Sequence, residues 1–530
     1  MRNTRFSPFI LLCLALVLSA CGPDASDDPI TDPDDGPSEA ERVESLRQDV
    51  RQLIADNDIE PLQKNQAIDP NKVKLGQALF FDSILSGNKD TSCGTCHRPM
   101  QATVDGVSIP AGTMARHDAT TGARIPGPEQ DYMPRNVPDL FNRGHEEFRT
   151  FFWDTRIQRV ENEDGSSNMV FFDRLDGYAP KNLFRVMDDE MFSQRMLATP
   201  DNLLAAQNMF PVLNRDELRG ARGHVDMCGE VNELAQIEDF DPETAWAQLM
   251  ARLLDIPGYR ELFAAAYPSL STEQLSFVHA ANGLSAFIED AYTLTDAPWD
   301  RFVAGEDEAL SEAALRGATI FYGKGTCNAC HTGTLMTDQN YYNIGIAPLG
   351  SGPSSRVSTG KKLDRGVAHR SLAGPDEAFK FRTPPLRNVE LTGPYMHTGA
   401  YNTLEAVVRH KNNAYKALWN YDVRQLRPEF QSELHRERES YEAVEATLDP
   451  LFQSPLGLTE DEIQDLVAFL EALTSPQAHD LSHTAPESVP SGLPINIPPN
   501  PNLPSEDGYA LDVDYTDYCA ARAAALKSQE

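Results

Sequence analysis

Apolar residues return every three or four positions along several stretches of this chain, the period of a helix with one buried face. Val43, Leu46, Val50, Leu53 and Ile54 predict a helix over 42–56, and the same pattern runs through 73–81, 200–209, 243–254 and 272–290. A further helix over 311–321 runs out at Gly323-Lys324-Gly325. The most legible helix is near the C-terminus. Thr459 and Glu462 form a capping box, Ile463, Leu466, Val467, Leu470 and Leu473 form one stripe, and Pro476 ends it. Period-two alternation is scarce, so the chain is expected to be mainly α. Residues 99–139, rich in Gly, Pro and Asp, read as loop, and the Pro-rich stretch 485–505 as extended or disordered.

One apolar run has a different use. Residues 9–20 follow Arg2 and Arg5 and are too short to span a bilayer as a mature helix. They end in Leu18-Ser19-Ala20-Cys21-Gly22, a bacterial lipoprotein signal in which Cys21 becomes the acylated first residue. Ordinary secretion with cleavage after Ala20 is the alternative. No acidic residue directly follows Cys21, which suits the outer membrane of a periplasmic lipoprotein. The Asp-, Pro- and Ser-rich residues 22–40 then read as a tether. Length and charge narrow the rest. The 530 residues suffice for two to four domains, and 41% hydrophobic with 24% charged residues is the balance of a soluble globular protein. A net charge of −34 excludes nucleic acid as a partner and suits a basic or neutral one, such as a small basic electron carrier, although it serves plain solubility equally well.

The chemistry is concentrated in a motif that occurs twice, Cys93-Gly94-Thr95-Cys96-His97 and Cys327-Asn328-Ala329-Cys330-His331. C-x-x-C-H is the attachment pattern of haem c: two thiols reach the two vinyl groups and the adjacent histidine ligates the iron. A shared four-cysteine zinc site would leave both histidines unexplained. Two covalent haems are therefore expected, with His97 and His331 as proximal ligands. Of the eight cysteines, Cys13 leaves with the signal, Cys21 carries lipid and four hold haem. Cys228 and Cys519 remain, and an oxidising compartment allows them to pair and tie the C-terminal tail to the first haem unit.

Around both motifs the chain resembles the bacterial di-haem cytochrome c peroxidase family, which includes the MauG-like di-haem enzymes. The resemblance covers roughly residues 70–475. It is carried by K-L-G-Q-A-L-F-F-D before the first motif, P-R-N-V-P-D-L-F-N at 134–142, F-W-D-T-R at 152–156, P-W-D-R-F at 298–302 and R-T-P-P-L-R-N-V-E-L-T-G-P-Y-M-H-T-G at 382–399. It implies two tandem cytochrome c-like haem domains with long loops. The resulting plan is a signal at 1–20, a tether at 21–45, a peroxidatic haem domain at 46–305, an electron-transfer haem domain at 306–478 and a Pro-rich tail at 479–530.

The resemblance also implies roles. The first haem reduces hydrogen peroxide with electrons from a small cytochrome or copper protein, relayed through the second haem. Gln207, Pro211 and Glu217 reproduce the family's spacing of a glutamine four before, and a glutamate six after, a proline. Glu217 is then the acid/base that shuttles a proton between the peroxide oxygens, and Gln207 orients it. The segment between Trp153 and Gln207 is longer than the family's short form. Trp153 takes the place of the tryptophan between the haems, while Trp299 reads as structural. Asn136, Thr392 and Pro394 match a calcium site, and His397 stands beside the inter-haem region. His117, in the loop 107–130, is a candidate removable ligand of the first haem. One departure concerns the second haem. Where the family carries a distal methionine, Thr403-Leu404-Glu405-Ala406-Val407-Val408-Arg409-His410-Lys411 places Lys411, with His410 adjacent. His410 is the preferred sixth ligand, with Met396, Tyr415 or no protein ligand as alternatives. The missing methionine keeps a MauG-like oxidase of a protein or organic substrate in view, beside a non-enzymatic di-haem electron carrier; a homodimer is compatible with either.

Overall fold

The computed structural model describes residues 38–64, 67–117, 124–172, 184–187, 190–239, 241–353, 362–370, 373–497 and 514–527. The signal, Cys21 and the expected tether up to residue 37 lie outside them. The chain divides into two units, Met1–Glu44 and Ser45–Glu530. Residues 38–44, the described part of the first, open the helix Glu39–Asp56. Everything below concerns the second unit, which is mostly helical.

The same arrangement occurs twice in it. The helix Pro70–Phe81, capped by Asp69 on the Asn71 N–H, leads into the first C-x-x-C-H turn and crosses the helix Phe277–Tyr292. The helix Glu312–Tyr322, capped by Ser311, leads into the second turn and crosses the helix Glu460–Glu471. Both crossings are closed by glycine. A Cβ on Gly76 would land on the carbonyl of Gly283, and one on Gly317 on the carbonyl of Asp465. The backbones therefore touch, and Arg316 clamps the second crossing with two 2.8 Å hydrogen bonds to Asp465. Apolar side chains fill the remaining space: Leu79, Phe80, Phe81 and Phe287 at the first crossing, Phe321, Phe469 and Trp299 at the second, all under 3% exposed. Each such burial contributes about 1.5–3 kcal/mol. Trp299 stacks among Phe302, Tyr322 and Phe469 and is structural, as its sequence context suggested.

The capping box at Thr459 and the apolar stripe that follows are present. Residues 150–186, to which sequence assigned no element, contain an antiparallel sheet. Strands Thr150–Phe151, Ile157–Glu161, Ser167–Phe172 and Phe184–Val186 pair in that order. Its central hairpin turns at Asp164-Gly165, where glycine takes φ 81°, a dipeptide that signals such turns.

The Pro-rich tail is docked rather than loose as far as residue 497. Gln77 donates to the Thr484 carbonyl, and Ser491 to the Asp82 carboxylate. Asn496 donates to the Asp90 carbonyl at 2.6 Å and accepts from Thr95, inside the first motif, at 2.7 Å. A helix not foreseen, Thr516–Lys527, follows, and Cys519 on it is bridged to Cys228 with Cα atoms 5.3 Å apart. That pairing closes 291 residues and stabilises by about 2–4 kcal/mol. Among the described residues no helix is long and apolar enough to cross a membrane.

Candidate functional site

The two C-x-x-C-H turns are built alike. Ser92 precedes the turn Cys93–Cys96 and Thr326 the turn Cys327–Ala329; in each, the histidine N–H closes on the carbonyl of the first cysteine, at 2.8 and 2.9 Å. His97 Nδ1 then lies 3.0 Å from the Thr103 carbonyl and His331 Nδ1 3.1 Å from the Met336 carbonyl. Both acceptor residues sit in left-handed backbone, φ 63° and 54°. A carbonyl can only accept, so Nδ1 carries the proton and Nε2 keeps its lone pair, the tautomer an iron requires. Burial brings each imidazole down to about 4, so both are neutral at physiological pH. Gly94 is dictated by packing, because a Cβ there would meet the Phe81 ring at 2.6 Å.

Around the first motif the sequence candidates converge in part. Gln207 ends the helix Leu203–Asn208, Pro211 opens the next turn, and Glu217 lies on the five-residue π-type turn Arg215–Arg219. Burial, with the Glu217 charge next in order, pushes the Cys93 thiol up to about 12, and the same charge also acts on Cys96. The carboxylate is therefore within electrostatic range of the first motif. Its backbone is held by Thr113, whose N–H donates to the Glu217 carbonyl at 2.8 Å. Gly112 makes that approach possible, since a Cβ there would strike the carbonyls of Asp216 and Glu217. His117 lies on the short strand Arg116–His117, paired with Arg124–Ile125; its side chain is outside the described residues. Arg124, one strand over, donates to the Gly112 carbonyl at 2.8 Å.

Around the second motif the surroundings are apolar. A cavity of about 860 Å³, counting the solvent at its open mouth, is lined by Cys327, Cys330 and His331, by aliphatic and aromatic side chains from Phe321 to Leu470, and by Lys411. This is the wall a porphyrin edge requires, and the residues present fit a haem. His410, the preferred sixth ligand from sequence, does not reach the cavity. Its Nδ1 pairs with the Tyr401 hydroxyl at 2.9 Å and its Nε2 with the Ile344 carbonyl at 2.7 Å, so both ring nitrogens are spent on the far side of the helix Leu404–Asn412. Met396 packs near Ile346, Ala400 and Tyr401, and Tyr415 is 45% exposed; neither lines the cavity. Burial lowers Lys411 to about 8.

Trp153 and the calcium candidates meet elsewhere. Trp153 Nε1 donates to the Asn136 carbonyl at 3.0 Å, and its ring meets that of His397 edge-on at 6.4 Å. His397 in turn stacks on Phe381 at 3.5 Å, and its carbonyl accepts the Asn136 N–H. Trp153 thus joins the segment after the first motif to the 381–399 run of the second. Asn136 gives its amide N–H to Val107 and Ser108, and no donor among the described residues reaches its Oδ1. Asn136 and Pro394 both pack within 3.1 Å of where a Gly399 Cβ would stand, whereas the Thr392 hydroxyl donates to Val389. The atoms that meet there are the Asn136 amide nitrogen and Pro394 Cγ, neither of them a ligand for a hard cation. No group of three or more His, Cys, Asp or Glu suited to a metal occurs among the described residues.

The feature sequence reasoning passed over is a buried ion cluster at this junction. Arg135 holds Asp364 through two hydrogen bonds of 2.6 and 3.0 Å and Asp154 at 2.8 Å, and Arg156 pairs with Asp154 at 3.0 Å. Three of the four lie in the P-R-N and W-D-T-R segments. Against the cost of burial, Arg135 draws the Asp364 carboxyl down to about 2.

His397 gives a pH prediction. Burial lowers it to about 3, with Asp364 pulling upward and Arg135 downward. The folded chain keeps it neutral while the unfolded chain protonates it below about 6.5. Its contribution is therefore complete above pH 6.5 and is lost at about 1.4 kcal/mol per pH unit as pH falls toward 3. Urea unfolding of wild type and His397→Gln at pH 7, 6, 5 and 4 measures this. The variant should lose that share of the slope; identical slopes would refute it.

The sequence model of the family described as di-haem cytochrome c peroxidase matches residues 70–308. The methylamine utilization protein MauG of Methylorubrum extorquens is 27% identical over 419 residues, covering 79% of this chain and 82% of its own. Cytochrome-c peroxidase IdrP1 of Denitromonas iodatirespirans is 26% identical, covering 79% and 86%. Cytochrome c551 peroxidase of Pseudomonas aeruginosa is 26% identical, covering 66% and 74%. A solved MauG-like protein associated with microbial copper homeostasis superposes with a TM-score of 0.48 at 24% identity, covering 79% of this chain and 93% of its own. Over residues 70–308 the chain matches the di-haem cytochrome c peroxidase family, whose members are oxidoreductases and carry two c-type haems.

Proposed function

We propose that this protein is a periplasmic di-haem c-type peroxidase, lipid-anchored through Cys21 at the outer membrane, that reduces hydrogen peroxide to water. The observation that carries the reading is Glu217, a carboxylate within electrostatic range of the first C-x-x-C-H motif on a turn that Gly112 and Thr113 hold in place. Two cytochrome c-like haem domains in tandem, 46–305 and 306–478, accord with the repeated helix, motif and helix arrangement. Haem held by Cys93, Cys96 and His97 and by Cys327, Cys330 and His331 supplies the one-electron redox chemistry. A small cytochrome or copper protein donates the electrons.

The protein's own groups do the rest. Glu217 takes a proton from the near peroxide oxygen and returns it to the far one, so that water leaves; with two electrons and two protons, one peroxide gives two waters. Gln207, at the end of its helix, orients the peroxide. Thr103 and Met336 keep His97 and His331 in the metal-binding tautomer. Trp153, fixed by the Asn136 carbonyl, relays charge between the two halves.

Lys411 in place of methionine favours a second reading, a MauG-like oxidase acting on a protein or organic substrate. Peroxide consumption driven by a reduced small cytochrome or copper protein tests the two. Steady donor-dependent turnover supports the peroxidase. Slow turnover with such donors and a long-lived oxidised form supports the oxidase.

A further inference from the structure

We propose that Lys411 is the second axial ligand of the iron held by His331, so that this haem has a histidine and lysine pair in place of histidine and methionine. The inference deepens the proposed function and rests on haem being attached at Cys327 and Cys330.

The geometry comes from one helix. Val407, Val408 and Lys411 lie at positions i, i+1 and i+4 of the helix Leu404–Asn412, share a face, and all three line the cavity of the second motif. His331 reaches the same cavity from a different element. Outside the C-x-x-C-H motif the only polar side chains lining the cavity are those of Thr326 and Lys411, so Lys411 supplies the one side-chain nitrogen or sulfur donor among them. The neighbouring His410, rotated off that face, spends both nitrogens on Tyr401 and Ile344.

The state of the amine agrees with this geometry. Lys411 Nζ lies 4.4 Å from the centre of the Phe452 ring, and among the described residues it has no carboxylate partner. An ammonium buried without a counter-charge is costly, whereas a neutral amine coordinated to a metal is not. Coordination requires the neutral amine, and the displaced proton goes to water. An amine does not raise the haem potential as a methionine thioether does. Electrons would then enter a second haem of lower potential than the methionine-ligated form.

The test uses the full chain carrying its haems. A pyridine haemochrome assay comes first: fewer than two haems per chain would overturn the reading of the second motif itself. With two haems present, wild type, Lys411→Met and Lys411→Ala are compared by ferric EPR, near-infrared magnetic circular dichroism and potentiometric titration. Wild type should lack the sulfur-to-iron charge-transfer band. Lys411→Met should acquire it and raise the midpoint potential of one haem. Lys411→Ala should convert one low-spin signal to high-spin. A sulfur-ligand band in wild type, or EPR signals and midpoint potentials unchanged in both variants, would overturn the assignment while leaving the peroxidase reading standing.

Discussion

Glu217→Gln is expected to lower donor-dependent peroxide turnover by about 10²–10⁴-fold, the usual worth of a positioned acid/base, with both haems still attached. The substitution keeps the shape and removes only the ability to take and return a proton. The turn Arg215–Arg219 is held by its backbone, through Asn214 capping the Asp216 N–H and Thr113 bonding the Glu217 carbonyl. The loss should appear in kcat/KM, which covers both the proton that peroxide gives up on capture and its return to the far oxygen. Asp216 is the internal control. Its carboxylate accepts the Asp131 N–H at 2.9 Å, and Asp216→Asn should stay within about twofold of wild type, well inside the effect of removing a catalytic proton carrier. Initial rates over a range of peroxide concentrations, normalised to haem content, decide the matter. Full activity in Glu217→Gln would remove this residue from the mechanism.

What could be read from the chain follows the range of the interactions. The helix 459–473 and the helices before each motif were legible because capping and a 3.6-residue period are local. The two C-x-x-C-H turns were legible because attachment chemistry fixes their spacing. The sheet at 150–186 escaped because its strands are short and, among its described side chains, the buried ones are Phe151, Ile157 and the run Met169-Val170-Phe171, with no sustained alternation. His410 is turned away from the cavity of the second motif, while Lys411, one residue on, lines it. On a helix one residue is about 100°, and no local signal told which of two adjacent nitrogen-bearing side chains faces the cavity. The answer lay in Ile344 and Tyr401, far from or outside the helix, which occupy His410. The docked tail was equally hidden, because Asn496 meets Asp90 and Thr95 across some four hundred residues.

The ion cluster at Arg135 shows how such long-range pairing serves the site. Arg135→Ala is expected to cost about 3–5 kcal/mol of stability, the penalty for leaving buried charge uncompensated. Asp154, 0% exposed, keeps Arg156, but Asp364, 9% exposed, loses its two-pronged partner, and water cannot replace the guanidinium without opening the junction. The neighbouring residue Asn136 carries the carbonyl that fixes Trp153 and the amide that ties 107–108, so loosening Arg135 loosens the proposed relay as well. Arg135→Lys should recover only part of the loss, because lysine cannot make the two-pronged contact with Asp364. Urea unfolding at pH 7 gives the stability. The sign of the pH dependence gives a second check. Asp364 is drawn down to about 2 in the folded chain, so its contribution is complete above its unfolded value near 4 and disappears as pH falls toward 2. Arg135→Ala should abolish that acid-side decline. A variant that loses under 1 kcal/mol, or keeps the decline intact, would show that the cluster is not what holds this junction.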